Sequence, residues 1–326
     1  MLQTPPRFTD PTLPPLDEAD RRLVALLAAD GRASGRELAQ ATGLSEANVS
    51  RRLARLFEEK SVRVAGFVPP EYLGYHSQFA LFLRARTDSE ALARRLAEHP
   101  AFNMVMTCYG LCDVIAYGVA AHGSDLVALL DKHIYGHQDI GSVELRSVIM
   151  FNDPARQPNA PDATSAPRPL DATDRRIIEE VQREGRISFT DLATTINISP
   201  TSAADRFRRL LADGIIRILG MPDPYRVGLL LTGYMHVRPS RPTAEVIRAL
   251  QAYPELSCFV LMSGPRAVAC EFQVRDTRHF DELCRRVLST PGVTDIETCL
   301  HRKVHCMSFA REIRTPVQEP RAVTAG

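Results

Sequence analysis

The chain has 326 residues, of which 44% are hydrophobic and 24% charged, and its formal net charge is +1. These values fit an ordinary soluble globular protein of about two to three domains, and no apolar run approaches the ~20 residues needed to span a bilayer. The near-neutral charge leaves nucleic-acid binding to a local basic patch. Residues 1–15 are Pro-rich, hold no apolar signal-peptide core and read as a disordered tail. Seven cysteines without paired spacing read as reduced thiols. The expected location is the cytoplasm, with no membrane partner.

In chain order, Asp17 stands at the N-cap of an amphipathic helix with Leu23, Leu26 and Leu27 on one face, and Gly31 ends it. Ser34, with Glu37 three residues on, is a capping-box pattern for a short second helix that Gly43 breaks. Ser45 caps a third helix that turns Val49, Leu53 and Leu56 inward. Residues 61–68 read as a connecting strand. Residues 76–84 alternate as a strand with Phe79, Leu81 and Leu83 on one face, and 89–99 are helical. Strands at 101–107 and 113–120 flank a turn at Gly110, a helix covers 124–133, and 143–150 close as a strand. That order is βαββαβ, a ferredoxin-like plan.

The chain then repeats itself. An offset of 154 lays Leu16-Asp17-x-x-Asp20-Arg21-Arg22 on Leu170-Asp171-x-x-Asp174-Arg175-Arg176, and Gly31-Arg32-x-Ser34 on Gly185-Arg186-x-Ser188. Arg52 falls on Arg206 and Gly66 on Gly220, and 16 of the 51 positions from Leu16 to Gly66 are identical without a gap. A fixed offset of this kind implies one folding plan used twice. The second copy has its inward faces at Ile177, Ile178 and Val181, then Leu192 and Ala193, then Ala203, Phe207 and Leu210. Asn197 makes the turn, Ser199 caps the third helix and Pro200 opens it. A βαββαβ order follows over 232–238, 243–252, 256–262, 267–274, 278–289 and 293–304.

The fold class expected is therefore α+β, in two tandem units. Each is a three-helix helix-turn-helix domain (16–65 and 170–219) followed by a ferredoxin-like βαββαβ domain (66–151 and 220–311). Residues 152–169 form the linker, and 312–326 a second disordered tail. Each sheet has helices on one face, and the sheet of the other half is expected to cover the opposite face.

A short helix, a tight turn and a capped following helix form a helix-turn-helix. Its last helix is narrow enough to enter the major groove and present its N-terminal residues to base edges. The candidate DNA contacts are Ser45, Glu46, Ala47, Asn48, Ser50, Arg51, Arg52 and Arg55 in the first copy. In the second they are Ser199, Thr201, Ser202, Arg206, Arg208 and Arg209, with Asp205 also outward. Each third helix is read as three Arg against one acidic residue, with Arg52 and Arg206 as expected DNA-reading groups. The competing reading is a solvated helix face in a small packing module.

Metal and catalytic readings are weaker. His301 and His305 on one strand would sit about 13 Å apart at ~3.3 Å per residue, too far to share a zinc. His133 and His137 are separated by Gly136, which ends their helix. No phosphate loop or nucleophile motif is present, so no metal, cofactor or enzymatic activity is expected.

With these motifs placed, the chain resembles the Lrp/AsnC, or feast/famine, transcriptional regulators. Asp30-Gly31-Arg32, Glu184-Gly185-Arg186, Ser199-Pro200-Thr201 and Thr290-Pro291-Gly292-Val293 add to the likeness. The resemblance covers nearly the whole chain, twice, and looks like a dimer fused into one polypeptide. It implies double-stranded DNA, a small-molecule effector such as an amino acid, and further copies of the chain as partners. It also implies an effector site near a Gly-x-x-Asp turn, kept here as Gly110-Leu111-Cys112-Asp113. The candidate effector residues are Tyr109, Gly110, Leu111 and Asp113, with Ser263 and Gly264 in the second copy, where Ala267 replaces the Asp. Sirohaem decarboxylases are similar in their two-domain plan, which makes a tetrapyrrole enzyme the alternative function, although no matching His-Arg signature stands out.

Overall fold

The computed structural model describes residues 16–152 and 169–307. The tails at 1–15 and 312–326 lie outside the described residues, as do linker residues 153–168 and positions 308–311. The first head contains α1 (Glu18–Ala29), α2 (Gly35–Thr42) and α3 (Glu46–Glu58), followed by β1 (Val62–Phe67). The second contains α6 (Ala172–Arg183), α7 (Phe189–Ile196) and α8 (Pro200–Ala212), followed by β6 (Arg217–Pro222). Between the heads lie β2 (Ser77–Ala85), α4 (Ser89–Ala97), β3 (Phe102–Gly110), β4 (Val114–Ala120), α5 (Gly123–His133) and β5 (Ile140–Asn152). After the second head come β7 (Leu231–Pro239), α9 (Thr243–Leu250), β8 (Leu256–Met262), β9 (Val268–Val274), α10 (Thr277–Leu288) and β10 (Val293–Met307).

Local chemistry starts the helices where the sequence places their caps. Asp17, Ser45, Asp171 and Ser199 each accept the backbone N–H three residues on, and Ser34 and Glu37 form the reciprocal capping box. Gly43 and Asn197 both end their helices in the left-handed region, at φ of 73° and 61°. Gly31 differs from expectation, because Asp30 is the C-cap of α1. A Cβ on Gly31 would lie 2.9 Å from Ile218 Cγ2, so its missing side chain admits the strand of the other half.

The two ferredoxin-like sheets close into one eight-stranded barrel, in the order β10-β3-β4-β2-β5-β8-β9-β7. Each half contributes four neighbouring strands, and the seams are the antiparallel pairs β3–β10 and β5–β8. Among the described residues, closure leaves the barrel without an unpaired edge. This realises the expected covering of one sheet by the other and goes further, because the edges are hydrogen-bonded as well as the faces packed. On β2, Phe79, Leu81 and Leu83 face the α4/α5 layer, whereas Ala80 and Phe82 face the barrel interior with Tyr117, Tyr234 and Cys299. No disulfide joins the cysteines among the described residues.

The heads dock crosswise. Strand β1 pairs with β6 antiparallel, with Ala65 opposite Leu219, its own equivalent at an offset of 154. Pairing of a position with its own repeat places a local two-fold axis there, as at an isologous interface. Helix α1 packs on β6 and α6 on β1. The core of the second head takes in Val68, Leu73 and Tyr75 from the first half, and Val227 packs on the core of the first head. The buried Arg226 guanidinium donates to Ser61 Oγ at 3.0 Å and Glu59 Oε2 at 2.6 Å, fastening the first head to the second half.

Candidate nucleic-acid interface and effector turns

The third helices present the face that the sequence assigns to them. Ser45, Glu46, Ala47, Ser50, Arg51 and Arg55 are exposed, and Asn48 and Arg52 are partly so. In the second head Ser199, Thr201, Asp205, Arg208 and Arg209 are exposed, with Ser202 and Arg206 intermediate. Behind them Val49, Leu53 and Leu56, and Ala203, Phe207 and Leu210, are buried. Helix α3 runs on to Glu58, so a second acidic residue lowers its local charge excess below the expected +2.

Arg52 and Arg206 each have one guanidinium nitrogen held inward, a structural role beyond the expected DNA-reading one. Arg52 Nη1 pairs with Asp17 Oδ2 and Asp20 Oδ1, both at 2.7 Å, and Asp20 is 2% exposed. Arg206 Nη1 repeats this with Asp171 Oδ2 at 2.7 Å and Asp174 Oδ1 at 3.0 Å. Arg55 also reaches the Asp20 carboxylate. A buried carboxylate without a cation is costly, so these arginines lock the third helix of each head to its first. Arg51, Arg208 and most of the uncharged residues of the first turns remain exposed on the outer faces.

The clamp carries a pH signature. Asp17 is held below the usual carboxylate range by the Asp20 N–H it accepts and then by Arg52, and Asp171 by Asp174 N–H and then Arg206. Folding lowers both pKa values, so their stabilisation is complete above the ordinary carboxylate pKa of about 3.9 and is lost as pH falls through the lower folded values. Replacement by Asn keeps the cap and removes the charge. The melting-temperature gap between the parent and an Asp17→Asn, Asp171→Asn variant is therefore expected to narrow below about pH 4. A gap that stays constant on acidification would contradict the clamp.

Two guanidiniums join the heads. Arg32 donates to the carbonyls of Gly185 and Ile187, both at 2.9 Å, and Arg186 to those of Gly31 at 2.6 Å and Ala33 at 3.0 Å. Arg32 also lies over the Phe207 ring at 4.8 Å, and Arg186 over Phe57 at 5.9 Å. Burial lowers the pKa of both arginines, and for Arg32 the nearby charge of Arg186 adds to this.

The expected effector residues lie in two equivalent turns, each at a barrel seam. Gly110 and Gly264 both take φ of +109°. In the first turn the Asp113 carboxylate is already engaged, accepting from Arg84 Nη1 at 3.1 Å and from the Ala85 N–H at 2.9 Å. Arg84 Nη2 also donates to the Gly110 carbonyl at 2.7 Å. Asp113 thus holds the turn. Tyr109 is 62% exposed beneath the Arg302 guanidinium at 4.9 Å, and the Leu111 N–H meets the Thr298 carbonyl at 3.4 Å. In the second turn Ser263 Oγ accepts from the Ser147 N–H at 2.9 Å. There Arg266 pairs with Asp295 and Glu297, a charge cluster that the sequence reading missed. Among the described residues no group of three His, Cys, Asp or Glu side chains is placed to hold a metal ion, and no helix is long and apolar enough to cross a membrane.

Comparison with known proteins agrees with this layout. Residues 16–56 match the AsnC-type helix-turn-helix domain, 170–217 a winged helix-turn-helix DNA-binding domain, and 232–309 the Lrp/AsnC ligand binding domain. The leucine-responsive regulatory protein of Haemophilus influenzae is 33% identical over 135 residues, spanning 40% of this chain and 81% of that protein. The chain belongs to the Lrp/AsnC family. The DNA-binding transcriptional activator DecR of Escherichia coli K12 is 29% identical over 133 residues, 39% of this chain and 88% of its own length. The ligand-binding match falls on the second unit, although the Gly-x-x-Asp pattern lies in the first. A crystal structure of the siroheme decarboxylase NirDL shares the fold over 91% of this chain and 94% of its own, with a TM-score of 0.62 at 13% identity.

Proposed function

We propose that this chain is a sequence-specific DNA-binding transcriptional regulator that carries both of its DNA-reading heads in one polypeptide. One observation carries the reading. The outer faces of α3 and α8 are open to solvent while their bodies are fixed, crosswise and two-fold related, in a single frame. Exposed Ser50, Arg51, Thr201 and Arg208 suit phosphate and base-edge contacts. The effector is an amino acid or a derivative, held at the Tyr109-Gly110-Leu111 and Ser263-Gly264 turns, where a bound ligand would bear on the seams. Further copies of the chain are partners, as the family resemblance implies.

The test is DNA binding by the full chain. Arg51→Ala with Arg208→Ala is expected to lower affinity for an enriched duplex and to reduce the salt slope by about 2 if both side chains contact phosphate. Unchanged affinity and slope, in a variant that melts like the parent, would contradict the interface.

A second reading rests on the fold shared with NirDL, which supports the architecture alone. An iron tetrapyrrole titrated into the purified chain separates the two. The regulator reading predicts an unchanged visible spectrum, and a saturable spectral shift would favour the tetrapyrrole enzyme.

A further inference from the structure

We infer that the two heads read different base sequences, so that the cognate DNA is a non-palindromic duplex on which the chain has one orientation. The inference rests on the DNA-binding reading above. The frame is common to both: serine caps at Ser45 and Ser199, clamps from Arg52 to Asp20 and Arg206 to Asp174, and apolar inner faces. The outward positions diverge. At the 154-residue offset Glu46 becomes Pro200, Ala47 becomes Thr201, Asn48 becomes Ser202 and Ala54 becomes Arg208.

The sharpest difference is Arg51 against Asp205, a reversal of charge at equivalent and exposed positions. Arg51 Nη2 rests on Asn48 Oδ1 at 3.1 Å, leaving the rest of its donor fork available for guanine N7 and O6 or a phosphate. Asp205 Oδ1 accepts from Arg208 Nη1 at 2.7 Å, so this head presents a carboxylate–guanidinium pair where the other presents a lone cation. A carboxylate accepts from cytosine N4 and repels phosphate, whereas a guanidinium favours guanine and phosphate. A G·C pair offers both groups, but on opposite strands, so the two positions favour opposite orientations of that pair. Because Ala65 opposes Leu219 across the head-to-head strand pair, the heads are related by a local two-fold. They therefore meet DNA as inverted half-sites with unlike contents. Two identical helices in a symmetric dimer could not make that distinction.

The experiment is selection from a randomised duplex pool with the full chain, followed by sequencing. The expected motif has two halves that do not match under inversion. A second selection uses a variant in which α8 takes the outward residues of α3: Pro200→Glu, Thr201→Ala, Ser202→Asn, Ala204→Ser, Asp205→Arg and Arg208→Ala. Its motif should become palindromic, with both halves of the α3 type, and its preference for that duplex should rise by about 5- to 150-fold per discriminating base pair. The reciprocal variant, with α8 residues placed on α3, serves if the first does not fold. A palindromic motif from the parent chain overturns the inference and leaves the regulator intact. An unchanged motif from a folded variant overturns it equally, and no enrichment at all overturns both.

Discussion

Alanine at position 220 is expected to cost about 3 kcal/mol or more, because it overpacks backbone against backbone. Gly220 lies on β6, opposite Val64 of β1 and beneath α1. A Cβ there would sit 1.9 Å from the Leu27 carbonyl oxygen and 2.5 Å from the Leu27 carbonyl carbon. That carbonyl belongs to α1 and cannot move alone, so the helix must lift off the strand that joins the heads. The melting temperature should fall by about 6–12 °C in a unit of this size. Gly35→Ala is the matched control, since nothing lies within 4 Å of its would-be Cβ at the first turn of α2. It should stay within about 1 kcal/mol of the parent, on the stabilising side. Gly220→Ala melting like Gly35→Ala would mean that α1 does not pack on β6.

The second large effect is expected from Arg32→Ala with Arg186→Ala. Each guanidinium supplies two hydrogen bonds to carbonyls of the opposite loop. Donors of this kind contribute about 1.5–3 kcal/mol when charged. Discounted for their half-exposed setting, the double variant should lose about 2–4 kcal/mol. Its larger consequence is functional. With the loops unfastened, the β1–β6 pairing and the crosswise helix packing would still join the heads, but the pair would be held less rigidly in one geometry. Affinity for a two-half-site duplex should fall towards that for a single half-site, because the advantage of linked sites depends on both being reachable at once.

The sequence made the local structure legible because local structure is set by neighbours three or four residues apart. The caps at Asp17, Ser34, Ser45 and Ser199 act over one helical turn and sit where the pattern puts them. The roles of Arg52 and Arg206 were not legible in that way, because their carboxylate partners lie more than 30 residues back in the chain. A usable signal was present nonetheless. Asp20 shares the helical stripe of Leu23, Val24 and Leu27, and an acid on a buried face demands a cation. The repeated Gly-Arg pairs at 31–32 and 185–186 marked both the close helix–strand approach and the clasp, but the partner is the other copy and no local period points to it. The barrel was half readable. Phe79-Ala80-Leu81-Phe82-Leu83 is an unbroken apolar run, as expected of a strand buried on both faces, and all five are buried. Its seams depend on two sheets meeting edge to edge, which neither half specifies alone. At the Gly110 turn the glycine was legible, whereas the engagement of Asp113 by Arg84 needed the register between β2 and β4.

The central claim, that one polypeptide applies both heads to one duplex, is tested most directly by equilibrium binding and stoichiometry on three duplexes. One carries both selected half-sites at their native spacing, and each of the others has one half-site scrambled. The account predicts one chain per duplex, affinity for the intact site about a hundredfold or more above either single site, and a smaller margin in the Arg32→Ala, Arg186→Ala variant. Equal affinity for one and two half-sites, or two chains on the intact duplex with one head engaged in each, would contradict it.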